Sequence, residues 1–268
     1  TGEQDNPSVA IRNDGSFVVA WEHQEDEETV VHYRAFTAEG NPVSDDQMLD
    51  TNDTGEVHVA ASASGEVTIA WEDRGFNINA PIDGPIISFQ RLNSSSAKIG
   101  TMGSVVASGF AESFDLAYLA NNQLVIGWEY AGSAYFNIYD SANAALLTEP
   151  EMASEASSGS ADGVAVTSNG TNRFALSWDS DEVTFDSSVY TRAYSYSNAM
   201  LDGTSEMRIN NELGDTEAEV TDNDRDDAHL AMDMNGNLVI VWEADFNHPA
   251  DPVFGVFGKL LTNNGDVK

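Results

Sequence analysis

The chain has 268 residues and a 41% hydrophobic share, enough to bury a core, and its 45 acids against 11 bases give a formal net charge of −34. Such a surface repels nucleic acid and anionic membrane, and no apolar run approaches the roughly 18–20 residues that cross a bilayer. Cysteine is absent, so neither disulfides nor thiol chemistry contribute.

The chain begins at Thr1, and the segment to Pro7 reads as a linker into a first strand of a piece taken from something longer. The first apolar run, Phe17-Val-Val-Ala-Trp21-Glu22, then recurs. It returns as Val67-Thr-Ile-Ala-Trp71-Glu72, Leu124-Val-Ile-Gly-Trp128-Glu129, Phe174-Ala-Leu-Ser-Trp178-Asp179 and Leu238-Val-Ile-Val-Trp242-Glu243. All five tryptophans therefore close an apolar run and precede an acid. Their spacings of 50, 57, 50 and 64 residues mark five copies of one unit. The copies span about 1–50, 51–108, 109–155, 156–215 and 216–268.

Each copy reads the same way in chain order. A short first strand comes first: Val9–Ile11, Val57–Ala61, Leu116–Tyr118, Val164–Val166 or Leu230–Met232. A turn rich in Gly and Asn follows, as at Asn13-Asp14-Gly15, Ser64-Gly65, Asn121-Asn122, Ser168-Asn169-Gly170 and Asn235-Gly236, where positive φ is expected. The Trp run is the second strand. A polar loop leads to a third strand, such as Val30–Phe36 or Val189–Tyr194. A weaker fourth strand lies near Gln47–Leu49, Ser104–Ala107, Glu151–Ala153 and Glu206–Ile209, and the fifth copy lacks it. Four strands per 50-residue unit predict an all-β, five-bladed β-propeller with four-stranded antiparallel blades, one domain, and negligible helix.

Within the second strand Phe17, Val19 and Trp21 alternate with Val18 and Ala20, so both faces are apolar and both should be covered by neighbouring blades. The residue before Trp is Ala, Ala, Gly, Ser or Val, mostly small, which lets a ring interlock with the next blade. The tryptophans are expected to be core. Arg34, Arg91, Arg192 and Lys259 share one register of the third strand, with Asn137 in the third copy. They are expected to pair with acids of their own or the next blade, the acid after Trp among them.

Asn13-Asp14-Gly15-Ser16-Phe17-Val18-Val19-Ala20-Trp21 resembles the Asp-Gly-x-Phe-Val-Val-Ala-Trp repeats of bacterial extracellular propeller-like proteins, which are large, acidic, calcium-associated surface or adhesin-type molecules. The resemblance covers nearly the whole chain, the other copies matching more loosely. It implies β-propeller architecture and a secreted or cell-surface location, and no particular activity.

Three places could carry function. The loops between second and third strands vary most, with 12, 19, 8, 13 and 16 residues from the post-Trp acid to the cation register. Variable loops on a fixed scaffold are where ligands bind. The longest two offer Arg74, Phe76 and Asn77, and Phe246 and His248, to a glycan or a surface protein. Asp222-Asn-Asp224-Arg-Asp226-Asp227 spaces carboxylates as a Ca²⁺ loop does, though Asp227 stands where an EF-hand needs Gly. Finally, Glu56, His58, Asp115, Asp162, Asp227 and His229 lie where first strands begin. If the chain is a hydrolase, Asp115 and Asp162 are the carboxylates to supply its acid and base. The sequence thus leaves three readings: a monomeric, non-catalytic binding or adhesion module, with calcium as a possible helper; a glycan-processing hydrolase; and a structural spacer.

Overall fold

The computed structural model describes residues 2–25, 28–50, 54–73, 86–105, 111, 113–155, 159–181, 187–209, 223–224, 228–246 and 253–268. Its strands form five antiparallel sheets, one per sequence copy. The fold is all-β, of the propeller class, and the only helical element among the described residues is a 3-10 turn at Ala120–Asn122. The chain divides into two compact units: residues 1–111, 120–124 and 139–145 form one, and residues 112–119, 125–138 and 146–268 the other.

In the first unit, β1 (Gln4–Ile11), β2 (Phe17–Glu25), β3 (Glu28–Phe36) and β4 (Gln47–Asp50) pair in chain order, as do β5 (Thr54–Ala61), β6 (Val67–Asp73), β7 (Ile86–Leu92) and β8 (Lys98–Val105). The third copy supplies β9 (Phe114–Tyr118), β10 (Leu124–Tyr130), β11 (Ser133–Tyr139) and the short β12 (Glu151–Met152). The fourth supplies β13 (Ser160–Ser168), β14 (Arg173–Asp181), β15 (Ser187–Ser197), β16 (Met200–Gly203) and β17 (Met207–Arg208). In the fifth, β18 (Asn223–Asp224) and β19 (His229–Met232) lie along one edge of β20 (Leu238–Phe246), and β21 (Val253–Leu261) along the other. As expected, no fourth strand completes this sheet among the described residues. Two outer-edge features were not anticipated: β8 begins six residues before the expected Ser104, and β16 is an extra strand. Polar, Gly-containing segments on a sheet edge carry little hydrophobic periodicity to announce them.

First strands lie beside first strands: β1 against β5, β9 against β13, β13 against β19. One packing rule joins successive copies. The face carrying the residues one and three before Trp meets the next copy's Trp face. Val18 and Ala20 cluster with Val67, Ile69 and Trp71. Val125 clusters with Phe174, Leu176 and Trp178. Ala175 clusters with Leu238, Ile240 and Trp242. The tryptophans are core, as expected: Trp71, Trp128, Trp178 and Trp242 are at most 3% exposed. Gly127, before Trp128, is required by contact. A Cβ there would stand 2.7 Å from Val166 Cγ2 and 2.9 Å from Leu176 Cδ2.

The expectation that both faces of the first Trp strand are covered is corrected. Val18 and Ala20 are fully buried, whereas Phe17, Val19 and Trp21 are only half-buried. The fifth copy has the complementary asymmetry, with Val239 and Val241 exposed.

The turns follow one chemistry. In Arg12–Ser16, Thr37–Asn41, Ser62–Glu66, Asn93–Ala97, Asp140–Ala144, Asp233–Asn237 and Thr262–Asp266 the first residue's N–H donates to the fifth residue's carbonyl, and its own carbonyl accepts from the fourth residue. That fourth residue has positive φ: Gly15 84°, Gly65 85°, Asn143 66°, Gly236 83°. Asn121 and Asn122 serve likewise in the copy that lacks Gly.

Candidate functional site

The cation register of the third strand is structural. Arg34 Nε donates to the Ser44 carbonyl, Asn137 Nδ2 to Leu147, and Arg192 Nε to Thr204, each fastening the link between third and fourth strands of its own sheet. Lys259 Nζ reaches the Ile209 carbonyl at 2.8 Å. Arg91, 1% exposed, donates from Nε to Asn143 Oδ1, from Nη1 to the Asn122 carbonyl and from Nη2 to the Asp140 carbonyl. Acids contribute as well, Asp46 lying 3.4 Å from Arg34 and Glu66 3.9 Å from Arg91. The expected pairing with the acid after Trp in the same blade is corrected by strand parity. Arg34 stands opposite Val19, three residues from Glu22, and Arg192 and Lys259 stand likewise to Asp179 and Glu243, so in these copies cation and acid project from opposite faces of the sheet. The second copy departs from the expected register: Gln90, opposite Ile69, stands in the place of Arg34, and Arg91, opposite Thr68, is one residue further on and shares a face with Glu72.

The post-Trp acids occupy a distinctive place. Glu72, Glu129 and Asp179 are 8%, 4% and 7% exposed. Glu129 Oε1 accepts from the Gly132 amide at 3.2 Å, closing the tight link between β10 and β11. Asp179 stands directly opposite Asp162 across β13 and β14. Gly163, at φ 58°, leaves the space beside it: a Cβ there would lie 2.9 Å from Asp179 Oδ2. Asp5 and Glu22 face each other in the same way in the first copy. Like charges directly opposite are destabilising, so a fold keeps such a pair at a cost. Asp162 is exposed and Asp179 buried, so the pair combines one solvated and one desolvated carboxyl. The pairing is legible only once the register is known, because the sequence places Asp179 among the acids after Trp and Asp162 with Asp115 where first strands begin.

Asp115 has a different task. Its Oδ1 accepts from the Leu116 amide at 2.7 Å and its Oδ2 from the Val166 amide at 2.8 Å. Ser113 Oγ accepts from the Val164 amide at 3.0 Å, and Ser8 Oγ from the Val59 amide at 3.1 Å. First strands of successive copies are thus stitched side chain to backbone. Asp115 is anchored at Val166, four residues along β13 from Asp162. At about 3.3 Å per residue, less the bulge between them, the two anchorages lie on the order of 10 Å apart. In the other unit Glu56 Oε1 lies 3.3 Å from His58 Nε2.

Of the expected ligand-binding residues, Arg74, Phe76, Asn77 and His248 lie outside the described residues, and the backbone of Phe246 pairs with Asn223 and Val253. Of the acids read as a calcium loop, Asp222, Asp226 and Asp227 lie outside the described residues, while Asp224 pairs through its backbone with Asp245. Among the described residues no group of three or more His, Asp or Glu is placed to hold a metal ion.

No family model matches the chain. No curated protein matches its sequence. Solved structures do match. The GH43 BlXynB protein from Bacillus licheniformis aligns with a TM-score of 0.52 at 10% identity over 100% of this chain and 54% of that one, so this chain spans about half its length. An alpha-L-arabinofuranosidase from Lactobacillus brevis aligns at 0.52 and 11% identity over 98% and 93%. Kuenenia stuttgartiensis hydrazine synthase aligns at 0.53 and 9% identity over 91% and 77%. At these identities the likeness establishes the fold. Proteins as different as a GH43 protein and a hydrazine synthase share it, so activity has to be argued from the site.

Proposed function

We propose that this chain is a glycan-directed propeller of a secreted or cell-surface bacterial protein, and that it binds its ligand on the loops after the Trp-acid pairs without cleaving it. The observation that carries the non-catalytic reading is Asp115. Both of its oxygens are engaged by backbone amides, which leaves little of this carboxylate to serve as acid or base. Glycans are preferred over protein ligands because the structural neighbours include a GH43 protein and an alpha-L-arabinofuranosidase.

Those neighbours favour a second reading, a glycan-processing hydrolase, more than they favour adhesion. On that reading Asp162 and Asp179, directly opposite each other across β13 and β14, replace the expected Asp115 and Asp162 as the working carboxyls, one exposed and one buried. Calcium at Asp222, Asp224, Asp226 and Asp227 is an accessory proposal. It predicts a rise in melting temperature with millimolar CaCl₂ beyond that of NaCl at matched ionic strength, reversed by EDTA.

The test is a glycan array combined with an assay for release of 4-nitrophenol from aryl arabinofuranosides and xylosides. Binding with no release establishes the lectin-like reading. Release that is lost in Asp162→Asn but kept in Asp115→Asn establishes the hydrolase with the acid pair named here. Neither binding nor release across both panels would overturn glycan recognition and leave the spacer reading.

A further inference from the structure

The half-buried face of the first sheet that carries Trp21 also carries a pair of imidazoles. His23 follows Trp21 by two residues on β2, so their side chains share a face, and His32 stands directly opposite Trp21 on β3. Strand parity thus sets the two histidines on one cross-strand diagonal, and their ring centroids lie 4.9 Å apart with the planes at 45°. The Trp21 ring borders His32 at 6.0 Å. On the other side of β3, Met48 stands directly opposite His32 and so shares its face. Met48 is 43% exposed, while its neighbour Leu49 takes the other face and packs with the Trp71 core. Both histidines are part-exposed. Two imidazoles and a thioether therefore meet on a face that solvent reaches. Neutral imidazole and thioether sulfur suit a soft cation, Cu(I) above all, whereas Ca²⁺ and Mg²⁺ need oxygen ligands.

We propose that His23, His32 and Met48 form a binding site for a single Cu(I) ion, held by one nitrogen of each imidazole and by the Met48 thioether, with the Trp21 indole alongside. Gln4 Nε2 lies 3.5 Å from His23 Nδ1. With that amide turned, its oxygen accepts the Nδ1–H, the outer hydrogen bond that orients a ligating histidine, and Nε2 is the nitrogen for the metal. Nε2 of His32 is buried, so this ring offers Nδ1. Arg34, two residues beyond His32 on the same face, is paired with Asp46 at 3.4 Å, and the net charge of −34 draws cations to the surface. The site is independent of the glycan reading.

The experiment titrates the full chain, under argon with ascorbate, with Cu(I) delivered as its bicinchoninate complex. One equivalent should pass to the protein. The ring ¹⁵N signals of His23 and His32 and the methyl signal of Met48 should move, and those of His58 and His229 should stay in place. His32→Gln is expected to abolish the transfer. Met48→Leu conserves volume at an exposed position. It should weaken Cu(I) by at least the roughly tenfold that loss of an outer-shell partner costs. No transfer of copper, or ring shifts at histidines other than His23 and His32, would overturn the site, and that readout needs no variant to fold. Undiminished Cu(I) affinity in Met48→Leu would refute the thioether ligand. Zn(II) binding as tight as Cu(I) would refute the preference for a soft cation.

Discussion

The Val166 amide donates to Asp115 Oδ2 at 2.8 Å, joining first strands of adjacent copies 51 residues apart in the chain. Ser113 and Val164 repeat the stitch at the same separation. A carboxylate at the beginning of a first strand thus spends its oxygens on the scaffold.

Replacing Asp115 separates scaffold from chemistry. Asp115→Ala leaves the Val166 amide, in a residue 6% exposed, without its acceptor, and should cost about 1–3 kcal/mol in chemical denaturation. Asp115→Asn retains an acceptor oxygen and should cost less than half of that. If the two substitutions are equally destabilising, the stitch does not matter to stability.

Gly127 should be intolerant of size. Gly127→Val drives two branches into Val166 and Leu176, and is expected to lower stability by about 3 kcal/mol or more, with Gly127→Ala costing roughly 1–3. Ala20→Gly, at the equivalent position of the first copy, enlarges the space and should cost about 1 kcal/mol. Urea midpoints of the three proteins check the order.

Arg91 and Arg34 stand one register apart in their third strands, opposite Thr68 and Val19, and differ in burial. Arg91→Ala removes three donors from a guanidinium 1% exposed and should cost on the order of 3 kcal/mol. The side chain of Arg34 is 32% exposed, and its loss should cost no more than about 1 kcal/mol. Equal midpoints for both variants would refute the bridging role of Arg91.

Two turn aspartates should sense acid. Asp14 accepts from the Ser16 hydroxyl and amide, and Asp233 from the side chain and amide of Asn237 and the amide of Asn235. These bonds hold both carboxyls below the ordinary aspartate value of 3.8. A depressed folded value stabilises the protein above the unfolded value and is lost as pH falls through the folded one. Carboxyl ¹³C titrations should place both midpoints below those of free aspartate. The Asp14→Asn, Asp233→Asn double variant keeps the turn acceptors, and its melting temperature should fall less steeply than the parent's below about pH 4.

Much of the architecture was legible because the Trp run is periodic in two ways. Its alternation fixes which residues share a face, and its recurrence fixes how many sheets there are. Gly127 could be picked out as small, but only the contacts of Val166 and Leu176 explain why. The edge strands β8 and β16 were misjudged because an exposed, polar edge has no hydrophobic alternation to read.

The sequence by itself determined the sheet count, the turn chemistry and the core role of the tryptophans, since each depends on residues near one another in the chain. Tertiary structure alone decided that Asp115 serves Val166, that Asp162 faces Asp179, and that Arg173 keeps a donor unused. Those depend on register and on which copy follows which in space. A shift of one residue in register would turn each side chain to the opposite face.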